Sequence, residues 1–216
     1  MELTIVGCGY VGLALAERLQ ARRPQLRLTL TTTSSERLEQ LSPLADRVQI
    51  CDATDPTQLL DALRQSSSAV FCLGPKGDRQ VDANGYRHTF VDSFRCLTSL
   101  LPQLPELRQI NYTGSCSVYG DAEGDWVDEQ TPPEPSRGHG DVLLEGEQLL
   151  NGISAVGCAS CASERCMAPD ASLIDACAGS PEWNAPAAES PTATGCTWRM
   201  PPVPWKQHLM VNGSAW

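Results

Sequence analysis

The sequence predicts an α/β fold, a doubly wound parallel sheet followed by an irregular C-terminal tail. Three observations predict it. Short β-branched runs alternate with helical periodicity over residues 1–150, which implies a parallel sheet covered by helices on both faces. The first of these runs ends directly in a loop carrying three glycines, and the composition of the chain changes near residue 150.

The first strand is Leu3-Thr4-Ile5-Val6, and Gly7-Cys8-Gly9-Tyr10-Val11-Gly12 follows it. Val11, Leu15 and Leu19 then recur at four-residue spacing until Pro24 ends the pattern, which predicts the first helix. Leu26 to Thr31 is the second strand, and Glu36 to Leu41 its helix. Arg47 to Cys51 is a third strand, Pro56 to Arg64 a helix opened by proline, and Ala69 to Leu73 a fourth strand. A long helix over about 81–101 leads to a fifth strand at Leu107 to Tyr112. In a sheet of this kind ligands sit at the carboxyl ends of the strands.

Composition bounds the function. The chain has 216 residues with 16 basic and 26 acidic side chains, a net charge of -10. Such a field opposes nonspecific binding to a polyanion, so nucleic acid is not expected as a partner. No apolar run approaches the ~18 residues of a membrane span, and the start of the chain does not read as a signal peptide. A cytoplasmic protein with ten reduced cysteines is the expectation.

The glycine loop is the first chemical signal. Gly7, Gly9 and Gly12 match G-x-G-x-x-G between a strand and a helix, the Rossmann-like context in which the pattern binds a dinucleotide. Gly7 permits the tight turn, Gly9 lets the backbone approach a pyrophosphate, and Gly12 allows helix and strand to pack closely. The amides that open the helix, at Tyr10 and Val11, face the phosphate charge. A plain strand-to-helix connection is the alternative. The cofactor is NADP or NAD. The acidic residue that holds the ribose of NAD is missing after the second strand, where Thr31-Thr32-Thr33-Ser34-Ser35 stands. Those hydroxyls with Arg37 favour a 2′-phosphate, unless Arg37 is a solvated helix residue. Asp52, beside Ala53, either accepts from the adenine amino group or serves as a cap or turn carboxylate near Pro56.

The opening Thr4 to Gly12, the turn Cys51-Asp52-Ala53-Thr54-Asp55-Pro56 and the segment Tyr112-Thr113-Gly114-Ser115-Cys116-Ser117-Val118-Tyr119-Gly120-Asp121 together resemble the extended short-chain dehydrogenase/reductases. More narrowly, they resemble the NAD-dependent epimerase/dehydratase group over residues 1 to about 150. The resemblance implies an NAD(P)-dependent oxidoreductase or epimerase whose small-molecule substrate is a nucleotide sugar. It gives Ser115, placed in a loop after the fifth strand, the part of the hydroxyl that bonds a substrate carbonyl or alcohol; a loop serine satisfying local amides is the alternative. The family's Tyr-x-x-x-Lys pair is absent. His139 stands in the tyrosine position and Leu143 in the lysine position, and a leucine supplies no charge. His139 and Arg137 could move a proton and polarise a carbonyl, or be two polar residues of a glycine-rich loop. A dinucleotide-binding module or fragment without catalysis is the competing function.

Residues 151–216 read differently. They hold two of the 25 leucines but four of the five tryptophans and five of the ten cysteines. Mostly irregular structure is expected there. The spacing Cys158-x-x-Cys161 with Cys166, Cys177 and Cys196 is too weak to assign a metal, and none is expected. A shifted reading frame from about residue 151 is the expected account of the change, and a genuine divergent or disordered tail is the alternative. With suitable synonymous codons, Cys158 to Pro169 read two nucleotides along spells Arg-Leu-Val-Arg-Leu-Gly-Ala-Val-Tyr-Gly-Pro, similar to a segment of the family. On this account the chain lacks a proper sixth strand and substrate half, with low stability and poor turnover expected.

Overall fold

Strand β1 (Glu2–Val6) lies inside a sheet whose strands all run parallel. The computed structural model describes residues 2–75, 82–125, 127–128, 130–136, 138–153 and 157–163. On one side β1 pairs with β2 (Arg27–Thr32), which pairs with β3 (Arg47–Ile50). On the other side it pairs with β4 (Ser68–Phe71), then come β5 (Gln109–Ser115) and β6 (Gly157–Ser163). The order β3-β2-β1-β4-β5-β6 is that of the Rossmann fold. Strand order reverses between β1 and β4, the point at whose carboxyl ends sheets of this kind bind their ligands.

Alternation along the strands divides the core between the two faces of the sheet. Leu3 and Ile5 of β1 pack with Leu28 and Leu30 of β2 and with Leu15 and Leu19 of α1 (Tyr10–Arg22). Val6, Phe71, Ile110 and Tyr112 point to the opposite face, where they meet α3 (Pro56–Leu63), α5 (Ser93–Leu100) and α6 (His139–Asn151). Each fully buried leucine on these faces is worth about 1.5–3 kcal/mol relative to exposure. Asp55 starts α3 by accepting from the amides of Thr57 and Gln58, and Pro56 fills the first helical position, where no amide is needed.

Several expected elements are corrected. The helix expected over 36–41 is a 3-10 turn at Ser35–Arg37 followed by α2 (Leu38–Leu41). The long helix is α4 (Ala83–Tyr86), a π-helical stretch Arg87–Asp92, and α5. The fifth strand runs on to Ser115, so the serine ends a strand instead of standing in a loop beyond it.

The segment beyond residue 150, expected to be mostly irregular, contributes one strand among the described residues. Helix α6 runs through Asn151, and Ile153 is buried in the core. Strand β6 then pairs with β5 from Gln109↔Gly157 to Ser115↔Ser163. Its sequence Gly-Cys-Ala-Ser-Cys-Ala-Ser has no alternation of large apolar and polar residues, so periodicity gave no sign of it. Main-chain pairing with a neighbouring strand defines it.

Candidate functional site

The glycine loop sits at the reversal of strand order. Gly7 has φ +82°, and a Cβ there would stand 2.8 Å from the Cys72 carbonyl oxygen at the end of β4. Its amide donates to Thr31 Oγ1 at 3.0 Å, and the amide of Cys8 donates to the Thr31 carbonyl at 2.7 Å. Thr31 is thus the brace of the loop, a role its place in a run of threonines did not reveal. A Cβ on Gly12 would lie 3.0 Å from the Gly7 carbonyl oxygen, which explains the close packing of α1 on β1. Gly9 differs: apart from its own residue and its two chain neighbours, no described atom lies within 4 Å of a Cβ built there. The loop is therefore open on the side of Gly9. No side chain caps α1, whose first residue, Tyr10, is 67% exposed.

Arg37 is not simply a solvated helix residue. It is half-buried, its guanidinium donates to the Cys8 carbonyl, and its Nε donates to Gln40 Oε1 at 3.3 Å. A cation is thereby fixed beside the glycine loop at the carboxyl ends of β1 and β2. Next to it, Thr32 Oγ1 accepts from the Ser34 amide at 3.2 Å. Asp52 is a turn carboxylate: its Oδ1 accepts from the Thr54 amide at 3.1 Å and hydroxyl at 2.8 Å, while Asp55 does the capping. Ala53, beside it, is buried.

Ser115 ends β5 two strands away from β1. Its oxygen accepts from the Ser117 amide at 3.3 Å and hydroxyl at 3.0 Å. Ser115 Oγ accepts in both bonds, so its own hydroxyl proton can still be given to another acceptor. Cys116–Tyr119 form a 3-10 turn, and α6 is pressed onto it: a Cβ on Gly140 would lie 2.7 Å from the Ser117 carbonyl oxygen. His139, the first residue of α6, is therefore brought to the Ser115 turn. Its imidazole is exposed and stacks on Tyr86, ring centroids 4.1 Å apart. Sequence reasoning missed Tyr86, since nothing near it in the chain signals an imidazole 53 positions away. Leu143, one turn further along α6, is 4% exposed and belongs to the core. Arg137 lies outside the described residues.

Nothing among the described residues forms a cluster of His, Cys, Asp and Glu able to hold a metal ion. Cys158 and Cys161 fall on β6, whereas Cys166, Cys177 and Cys196 lie outside the described residues. Burial pushes the Cys8 thiol up to about 11, against the opposing pull of Arg37, and burial followed by the charge of Asp52 pushes Cys51 up to about 12. These thiols stay protonated at neutral pH and are poor nucleophiles. No described helix is long and apolar enough to cross a membrane.

With a glycine loop at the switch point and the Ser-x-x-Val-Tyr-Gly turn after β5, the comparison with known proteins is direct. A model of the NAD dependent epimerase/dehydratase family matches residues 3–162. The chain belongs to that family. Protein YeeZ of Escherichia coli strain K12 is 32% identical over a 163-residue alignment that covers 70% of this chain and 54% of that protein. This family member thus spans about half the length of the curated relative it matches. Among solved structures, a UDP-galactose 4-epimerase superposes with a TM-score of 0.62 at 19% identity, over 74% of this chain and 55% of that one. UDP-glucuronic acid 4-epimerase from Bacillus cereus, in complex with NAD, gives 0.59 at 19% identity over the same 74% and 55%. At such identities these two likenesses speak for the fold.

Proposed function

We propose that this member of the epimerase/dehydratase family binds a nicotinamide dinucleotide across the carboxyl ends of β1 and β4. One observation carries the reading: at the point where strand order reverses, Gly7 is held in a conformation that suits glycine while Gly9 faces open space. A pyrophosphate fits against such a backbone, with the amides that open α1, at Tyr10, Val11 and Gly12, as donors. Arg37 and the hydroxyls of Thr32 and Ser34 would meet the adenosine ribose and favour NADP over NAD, because a fixed guanidinium pairs with a 2′-phosphate. Asp52 and Ala53 would border the adenine.

The nicotinamide, when bound, supplies hydride acceptance and donation. The chain's part is to orient the substrate and handle a proton. Ser115 would donate to the oxygen of a carbonyl or alcohol, and His139 would exchange the proton at that oxygen, in a substrate of the nucleotide-sugar class. A second reading, a dinucleotide-binding module without turnover, has one observation in its favour: the position that resembles the family's lysine is the buried Leu143, which lends no charge.

Calorimetric titration with NADPH and NADH tests the cofactor half. NADPH should bind more tightly, and Arg37→Ala should narrow the difference by about tenfold or more, one lost charge-assisted contact being worth about 1.5–3 kcal/mol. Equal affinities in the wild type would sink the NADP preference, and binding of neither would sink the whole reading. For the catalytic half, turnover is followed with UDP-galactose, UDP-glucuronic acid, dTDP-glucose and small carbonyls. Ser115→Ala should cost about 10² in rate with cofactor affinity nearly unchanged. A wild type that binds NADPH but turns over none of these decides for the module.

A further inference from the structure

A π-helical stretch, Arg87–Asp92, begins directly after Tyr86 in the helix that packs on the start of α6. Such stretches replace the usual α-helical bonds by wider i→i+5 ones, and they are frequent at functional sites. Here the neighbouring helices hold it. Arg87 at the start of the stretch meets Glu145 of α6 at 2.7 Å, and Arg95 of α5 reaches the same carboxylate at 2.9 Å. With the helices tied in this way, the Tyr86 ring lies nearly parallel to the imidazole of His139, planes 20° apart and centroids 4.1 Å apart. The same ring is tilted against the buried Phe90 at 5.6 Å. The residue after His139 is Gly140, whose close approach to the Ser117 carbonyl sets the stack beside the Ser115 turn.

We propose that Tyr86 is a positioning residue whose ring fixes the orientation of the His139 imidazole at the substrate site. The inference rests on the reading of His139 as the proton-exchanging group. An exposed imidazole at the first residue of a helix samples several rotamers, and only some of them aim a nitrogen at a given oxygen. Stacking on a ring anchored at Phe90 selects among them. Because the contact uses the ring faces, both imidazole nitrogens, which lie at the ring edge, stay available for hydrogen bonding. The π-helical stretch and the bond from Arg87 to Glu145 are what bring Tyr86 into register with α6.

The test uses the full chain, which contains three histidines, so imidazole proton resonances are few and His139→Gln assigns its own. The His139 ring protons should lie upfield of those of His88 because of the Tyr86 ring current. Tyr86→Leu should remove that displacement, and Tyr86→Phe should keep it. With the nucleotide sugar that the wild type turns over, Tyr86→Leu should lower kcat about tenfold or more with KM unchanged, since misaimed catalytic groups cost rate and not binding. Tyr86→Phe should rescue it. His139→Gln should fall to the same level, and adding Tyr86→Leu to it should cause no further loss. Loss of the ring-current displacement with kcat intact overturns the inference, as does a Tyr86→Phe variant as slow as Tyr86→Leu. Full activity in His139→Gln, or no turnover in the wild type, instead overturns the underlying role of His139, and the inference falls with it although the displacement persists.

Discussion

Gly7 and Gly9 are two positions apart, and the structure assigns them different tasks. At Gly7 the positive φ and the Cys72 carbonyl leave no room for a side chain, so Gly7→Ala should destabilise the fold by about 1–3 kcal/mol. At Gly9 a Cβ points into open space, so Gly9→Val should leave the melting temperature nearly unchanged and weaken NADPH well over tenfold. Thermal melts and titrations on the two variants separate the tasks, and equal NADPH binding by wild type and Gly9→Val would refute the pyrophosphate role. The glycine pattern was legible because its spacing is local. Its braces were not: Thr31 lies 24 residues from Gly7 and the Cys72 carbonyl 65 residues from it, and no spacing rule links them.

The apolar helix faces and strand alternation placed most secondary-structure elements, since each follows from residues that are near neighbours in the chain. What escaped were features set by contacts between elements. The π-helical stretch Arg87–Asp92 is pinned to α6 through Glu145, and β6 exists through its pairing with β5. Phe94 shows how these elements share a core: its ring is edge-on to Phe71 of β4 at 5.8 Å and to Tyr112 of β5 at 5.0 Å. A Cβ on Gly146 of α6 would come within 3.2 Å of it. Phe94→Ala should therefore cost about 3–5 kcal/mol, measured by denaturant unfolding. A loss below about 1 kcal/mol would mean that α5 and α6 do not share a close-packed core with the sheet.

For the molecule as a whole, the parallel order β3-β2-β1-β4-β5-β6 puts the glycine loop and the Ser115 turn at the carboxyl ends of strands of one sheet. The shifted-frame proposal concerns the residues from about 151 onward, a segment in which the described residues include β6. Its check is the nucleotide sequence: the alternative frame past the codon for about residue 150 should stay open and encode Arg-Leu-Val-Arg-Leu-Gly-Ala-Val-Tyr-Gly-Pro, and early stops there would end the account. The fold class and the glycine loop are legible in local spacing and composition, and the departure from the Tyr-x-x-x-Lys pair follows from the resemblance to the family. Long-range packing brings the Arg37 guanidinium to the Cys8 carbonyl, the Tyr86 ring onto the His139 imidazole and a strand of small residues against β5, while the local turn sets the Asp52 carboxylate to accept from Thr54. Most of these contacts join residues far apart in the chain, and packing selects them from many that the sequence would allow.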